Sequence, residues 1–415
     1  MKKITLGEPI IISQSTTEPI MHGAWQNPLV RYNDGVLYVR FKGVKDCYEN
    51  QDEANKNPIF RSFDGGNSWE RMEKVAEAWA MAQAPITNGD RVAFHPIPFI
   101  TDTKDFPPPA PHRAKENIRK GDSVGAYTTE ELRGIVPDED LDFPLICHRI
   151  KKGTEEMVEH RCRVDWKGVK AHNLIYKGYV SVSAYLCGEY RVDKDGAIYL
   201  PVSGLGLNPD GTLASKYQCM FFLKSTDNGY SFEYVGGLSY KDEYNPPNAI
   251  DVEGFLECCL EICDDGSFFA ILRSGSISPF TRGDDDHPAP KCYISHSYDK
   301  GKSWTEPEFF YDYGVLPRST RMPDGTFLMT SGRPGVYIRA CFDGMGKEWT
   351  DPLHVVKVPE AEKYTAYEQY TCCNNGICAY DERTAFLTYS DFQLTTPEGV
   401  RAKSIIVRKI TISDK

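Results

Sequence analysis

The chain has 415 residues, with 48 Lys+Arg against 59 Asp+Glu and a formal net charge of −11. At 40% hydrophobic and 26% charged it carries enough apolar content for a sizeable core, which excludes a disordered chain. The acidic balance argues against a nucleic-acid surface, and the longest apolar runs, such as Phe268 to Leu272, are strand-sized and far too short to span a membrane.

The first nine residues, Met1 to Pro9, hold two lysines but no sustained apolar stretch, so no signal peptide is expected. Lys3 to Ser13 reads as a strand. Asn33-Asp34-Gly35 then precedes Val36-Leu37-Tyr38-Val39, and the same pattern of a tight turn before an apolar run recurs five more times. The copies are Asn88-Gly89-Asp90, Asp195-Gly196, Asp265-Gly266, Asp324-Gly325 and Asp381-Glu382-Arg383. Asn-Gly and Asp-Gly supply the positive-φ residues of tight hairpins, so each copy predicts a hairpin. Successive copies are roughly 60 residues apart except for one interval nearly twice as long, which predicts six small sheets and one insertion. The insertion is expected at about 96–165, where Pro107-Pro108-Pro109 and a charged run interrupt the pattern. The segment Lys403 to Ser413 predicts a last strand able to pair with the first and remove an exposed edge.

A second repeat lies between the hairpins. Ser62-Phe63-Asp64-Gly65-Gly66-Asn67-Ser68-Trp69 matches 225–232 and 297–304, and 341–349 is a copy longer by one residue. The pattern Ser-x-Asp-x-Gly-x-Ser-aromatic predicts a self-satisfied turn: Asp and Ser side chains bond nearby backbone N–H groups, and the aromatic anchors the turn on its sheet. The 24 Tyr, 20 Phe and 6 Trp favour β-structure and offer stacking surfaces for a ligand. The 13 cysteines include the adjacent pairs Cys258-Cys259 and Cys372-Cys373. Strand neighbours point to opposite faces, so buried thiols are expected rather than a disulfide framework, in a reducing, cytoplasmic setting. No CxxC pair with a matching partner is present, so neither a metal nor a cofactor is expected.

These motifs resemble the Asp-box (bacterial neuraminidase repeat) proteins of the sialidase superfamily over nearly the whole chain. The resemblance implies an all-β, six-bladed β-propeller spanning 1–415 as a single domain, with 96–165 an insertion capping one face in blade two. Each blade would be a four-stranded antiparallel sheet. The repeated turns would lie at blade peripheries and carry no chemistry.

A glycosidase of that superfamily uses an acid/base carboxylate, a tyrosine nucleophile polarised by a glutamate, and arginines that clamp the substrate carboxylate. A neutral phenol avoids the repulsion that a carboxylate nucleophile would meet at the anomeric carbon of an acidic sugar. Glu257 to Gly266, running on to Arg273-Ser274, is similar to the family's Glu-x-x-x-x-Glu-x-x-Asp-Gly…Arg-Ser segment, but its glutamate spacing is one residue shorter. The resemblance implies Glu257 as polarising base, with Glu261 as the alternative, and Arg273 as a clamp. Tyr370 matches the nucleophile segment. Arg333, after the fifth hairpin, is the other clamp, with Arg318 and Arg321 as alternatives. In the first blade Gln26 stands where the family has an arginine; it can donate hydrogen bonds but carries no charge. Arg40 or Lys42 fills the second basic position, and Asp46 the acid/base position, with Glu49 and Asp52 as rivals. His22 and Trp25 are expected to reach substrate hydroxyls and the sugar face, and His172-Asn173 likewise to reach the pocket. The run Asp284-Asp285-Asp286-His287 reads as a solvated loop.

The function expected is an exo-acting glycoside hydrolase releasing a terminal acidic sugar from oligosaccharides with retention. A homo-oligomer is compatible with the sequence; nucleic acid and membrane partners are not expected. The alternatives are a non-catalytic carbohydrate-binding propeller and a polysaccharide lyase on the same fold, the missing arginine at Gln26 favouring the former.

Overall fold

The computed structural model describes residues 2–16, 26–42, 58–72, 85–97, 106–107, 110–111, 114–117, 122–154, 156–168, 170–172, 174–176, 179–180, 185–186, 188–208, 212–245, 252–276, 291–312, 314–362 and 369–414. It is nearly all β, with two short α-helices among the described residues. The chain divides into two compact units, one of residues 1–84, 263–265 and 313–415, the other of 85–262 and 266–312.

In the first unit, β1 (Lys2–Leu6) and β2 (Ile10–Ser15) are followed by an antiparallel meander of β3 (Gln26–Asn33), β4 (Val36–Lys42), β5 (Ile59–Ser62) and β6 (Glu70–Arg71). The β3–β4 turn is Asp34-Gly35, both with positive φ, 50° and 83°, as an Asp-Gly hairpin requires.

The second unit opens with β7 (Arg91–Pro96), β8 (Ala114–Asn117) and β9 (Asp122–Ala126), then α1 (Thr129–Leu132) and α2 (Asp138–Asp142). A capping box fixes the start of α1: the Thr128 hydroxyl accepts from the Glu131 amide while the Glu131 carboxylate accepts from the Thr128 amide. There follow β10 (Leu145–Ile150), β11 (Met157–Asp165), β12 (Lys170–His172), β13 (Leu174–Tyr176), β14 (Tyr179–Val180), β15 (Tyr185–Leu186), β16 (Arg191–Val192), β17 (Ile198–Leu207), β18 (Cys219–Ser225) and β19 (Ser231–Leu238). The unit ends in a meander of β20 (Val252–Ile262), β21 (Phe268–Ser276), β22 (Lys291–Ser297) and β23 (Glu308–Asp312).

The expected insertion divides in two. β8 and β9 join β13 and β14 in a separate four-stranded sheet, whereas β10 pairs antiparallel with β7 on one side and with β11 on the other. Leu145, Cys147 and Cys162 face inward at 0–2% exposure, and this apolar face ties residues 145–165 to the main sheet. A three-residue parallel contact between β11 and β19 links that meander to β16–β19.

The first unit resumes with a meander of β24 (Val315–Arg321), β25 (Phe327–Gly332), β26 (Val336–Cys341) and β27 (Leu353–Val356), then β28 (Asn375–Ala379), β29 (Thr384–Asp391) and β30 (Lys403–Asp414). β1 pairs with β30 in register from Lys2↔Asp414 to Leu6↔Ile410, and β2 continues along the same edge, so the two chain ends complete one sheet as the sequence predicts. That sheet is buried on both faces. One packs Phe386, Ile405 and Val407 against Val30, Leu37 and Val39; the other packs Leu387, Ile406 and Ile410 against Leu328, Val336 and Ile338. Two-sided burial explains why β29 and β30 read as nearly continuous apolar runs, with each buried aliphatic side chain contributing roughly 1.5–3 kcal/mol.

The Ser-x-Asp-x-Gly-x-Ser-aromatic segments form one hydrogen-bonded turn at four places, β5–β6, β18–β19, β22–β23 and β26–β27. In the first, Ser62 Oγ donates to Asp64 at 2.8 Å and accepts from the Gly66 amide at 2.9 Å. Asp64 also accepts from the amide and hydroxyl of Ser68, and Trp69 Nε1 donates to the Gly66 carbonyl at 3.0 Å. The turns at Asp227 and Asp299 repeat the Ser–Asp–Ser contacts. At the fourth, Cys341 replaces the first serine and its thiol donates to Asp343 at 2.8 Å.

Candidate active site

In each of these meanders the Asp-Gly hairpin joins the first two strands and the repeated turn joins the last two, so both lie at one end of the sheet. The predicted site residues among those described fall towards the other end. Gln26 begins β3 and is paired across the sheet with Lys42, the last residue of β4. Arg40 and Lys42 share the face of β4 opposite the core residues Val39 and Phe41, because strand side chains alternate. Arg333 follows the last residue of β25, and Tyr370 precedes β28.

Two tight turns in the first unit position these last two residues. Arg333, 9% exposed, and Cys373, fully buried, both adopt positive φ, 64° and 66°, a conformation costly for residues with a side chain. The turns pack closely, since a Cβ built on Gly332 would stand 2.0 Å from the Cys373 carbonyl oxygen. Burial pushes the Cys373 thiol up to about 12, opposed by the Arg333 charge. Buried hydroxyls brace the segment: Ser390 Oγ accepts from the Cys372 amide at 2.9 Å and Thr371 Oγ1 from the Cys373 amide at 3.1 Å. The Tyr370 hydroxyl donates to Glu362 Oε2 at 2.9 Å, and that carboxylate raises the phenol above its ordinary range. The neighbouring Phe392 amide donates to the Tyr370 carbonyl at 2.8 Å. Asp391, one residue earlier at the end of β29, is raised by desolvation.

In the second unit Glu257 and Arg273 face each other across a bulge in β20 and form a 2.9 Å ion pair, with side chains 17% and 12% exposed. Glu261, the alternative in the sequence, is 1% exposed and lies nearer the hairpin end, where Arg191 holds it through two hydrogen bonds. Arg191 is raised, burial opposing and the Glu261 charge outweighing it. Glu257 is expected from sequence to polarise Tyr370. The contacts described run otherwise: Tyr370 meets Glu362 and Glu257 meets Arg273. Of the alternatives to Arg333, Arg321 pairs with Asp264, and Arg318 on β24 stands opposite Thr330 on β25. His22, Trp25, Asp46, Glu49, Asp52, Asn173 and 284–287 lie outside the described residues, as do the side chains of Gln26 and His172.

Sequence reasoning missed Glu362 and Arg191. Arg191 sits four residues before the third hairpin turn, a position that marks it as first-strand; nothing in Glu360-Ala361-Glu362 distinguishes its glutamates.

No protein-family model and no curated protein sequence matches the chain. Among solved structures it is similar to a Dyadobacter fermentans protein of unknown function, at 15% identity over 99% of both chains and a TM-score of 0.56. Looser similarities include the Hadza microbial sialidase Hz136 (11% identity, 92% of this chain and 66% of that one, TM-score 0.48). Another is a Penicillium chrysogenum α-L-arabinanase complexed with arabinobiose (15%, 97% and 98%, TM-score 0.46). Likeness at these identities concerns the fold and transfers no activity.

Proposed function

We propose that the protein is an exo-acting glycoside hydrolase on a six-bladed, sialidase-like propeller, releasing a terminal acidic sugar with retained configuration. The observation that carries the reading is the Tyr370–Glu362 hydrogen bond, 2.9 Å, at the sheet end opposite the repeated turns. A phenol is a poor nucleophile until a base takes its proton, and Glu362 stands where that proton leaves. Tyr370 attacks the anomeric carbon while Glu362 accepts the phenolic proton, and Asp46 protonates the leaving oxygen and then activates water. Arg333 and Arg273 bind the acidic group, with Gln26, Arg40 and Lys42 as further donors to the sugar. Glu257 holds the Arg273 guanidinium in place. The antiparallel meanders β3–β6, β16–β19, β20–β23 and β24–β27, each with its turns at one end, support the propeller reading, in which the sheet of β8, β9, β13 and β14 would serve as the cap.

The test is a panel of acidic glycosides with a fluorescent leaving group, the first-formed anomer being read by NMR. Release with retention is expected, and Tyr370→Phe is expected to slow turnover by roughly a hundredfold or more. Unchanged turnover in that variant removes the nucleophile role. Saturable binding without release from any member indicates a binding propeller instead, the reading that uncharged Gln26 favours. An unsaturated, ultraviolet-absorbing product indicates a lyase.

A further inference from the structure

Cys147 on β10 lies directly across the sheet from His160 on β11, and Cys162 is the next residue of β11 on the same face. The two thiols and one imidazole nitrogen all lie within 4.8 Å of one another. We propose that Cys147, His160 and Cys162 bind a thiophilic d10 metal ion, zinc or copper(I).

The donor set fits such an ion by chemistry and by size. Thiolate and imidazole ligands select zinc and copper(I) over the oxygen-seeking cations. Around a tetrahedral zinc, sulfur and nitrogen donors stand roughly 3.5–3.8 Å apart, so small side-chain rotations close this set on an ion. His160 Nε2 is shielded from solvent and makes no close hydrogen bond among the described residues, while the imidazole interacts with the neighbouring Cys147 thiol, so an ion between them would meet donors with little competition. The ring is also held in orientation, stacked on Tyr230 at 4.5 Å between centroids. Tyr230 is in turn covered by the Arg149 guanidinium at 4.4 Å.

Local charge tolerates the ion. Arg149 is the nearby cation, and its Nη1 is paired with Asp90 at 3.0 Å while Nη2 donates to the Asn228 carbonyl at 2.6 Å. On binding, each thiol gives its proton to solvent, and two thiolates neutralise zinc or leave one negative charge with copper(I). Cys162 at present donates to the Gly229 carbonyl at 3.1 Å, a bond exchanged for the metal–sulfur bond. Three protein donors leave a fourth position of a tetrahedral zinc for a further ligand. The site ties the β10–β11 hairpin to the repeated turn at 225–232 and shares no residue with those proposed for glycoside chemistry.

The experiment uses the full chain, reduced and stripped with a chelator, then titrated anaerobically with Co2+, Zn2+ or Cu(I). One equivalent of Co2+ is expected to give thiolate-to-cobalt charge transfer and a tetrahedral visible band. Zn2+ abolishes both if zinc is the ion; Cu(I) alone displacing cobalt identifies copper. Cys147→Ser is expected to abolish the equivalent, and His160→Gln, at a half-buried position that should leave folding intact, to weaken it roughly tenfold or more. Cys292→Ser is the thiol control and leaves it unchanged. Absence of a tight equivalent in the reduced protein, or His160→Gln binding as tightly as the unaltered chain, overturns the proposal.

Discussion

Arg191 grips Glu261 through two charge-assisted hydrogen bonds, Nε to Oε2 at 2.9 Å and Nη2 to Oε1 at 2.7 Å. The carboxylate is 1% exposed, so removing its charge takes from the Arg191 guanidinium its two closest charge-assisted bonds and leaves the more distant Glu189, at 3.5 Å, to offset it. Glu261→Gln is expected to cost about 3–5 kcal/mol of unfolding free energy in urea titrations. The double variant Arg191→Leu with Glu261→Leu should recover most of that loss, because it removes both desolvation costs together. A small effect from the single variant would show that the pair contributes little to the fold.

Glu362 keeps the Tyr370 proton in place above the usual tyrosine range, since a phenolate beside a carboxylate is repelled. In Glu362→Gln the Tyr370 resonance, identified by its loss in Tyr370→Phe, should titrate at lower pH than in the unaltered protein. Observing the tyrosine Cζ carbon by NMR checks this. Turnover on any acidic glycoside that is cleaved should fall in Glu362→Gln with its alkaline limb moved downward.

Hydrogen bonds within the repeated turns hold their aspartates below the ordinary carboxylate range. Donation from Ser68 and Ser303 brings Asp64 and Asp299 from 3.8 down to about 2. A depressed carboxyl stabilises the fold above its unfolded value and loses that contribution as pH falls through the folded one. Urea midpoints should therefore drop between about pH 5 and pH 2, and the drop should be smaller in Asp64→Asn with Asp299→Asn. Identical acid sensitivity in the variant would mean these aspartates do not govern it.

Gly236 on β19 lies against the β22–β23 turn so closely that an added Cβ would stand 2.2 Å from the Gly301 carbonyl oxygen and 2.6 Å from that of Lys302. Both obstacles are backbone and cannot swing away. Gly236→Ala is expected to destabilise by roughly 1–3 kcal/mol, read as a lower melting temperature. Gly399→Ala, where nothing lies within 4 Å but φ is +80°, separates backbone strain from collision.

Much of the strand order was legible along the chain. Asp34-Gly35, Asp195-Gly196, Asp265-Gly266 and Asp324-Gly325 each join a strand to the next, because a tight turn needs only adjacent residues with the right φ. Asp64, Asp227 and Asp299 satisfy their turns within five residues, so their hydrogen bonds are implied by spacing alone. Pairing of Lys2–Leu6 with the far end of the chain was also readable, since two apolar strands at the termini each need a neighbour. The pairing of residues 145–165 was not: charge and proline mark an interruption of the pattern, but only the inward alternation of Leu145 and Cys147 beside β7 places them in the main sheet.

Sequence by itself determined the local turns and the strands between them, where each interaction partner is a few residues away and entropy of closure is small. Tertiary structure alone decided which charge meets which: Glu261 with Arg191, seventy residues apart, Glu257 with Arg273 across a bulge, and Tyr370 with Glu362. A carboxylate's partner is whichever cation or donor the packing of sheets brings within about 3 Å in a low-dielectric setting, and no spacing along the chain encodes that distance.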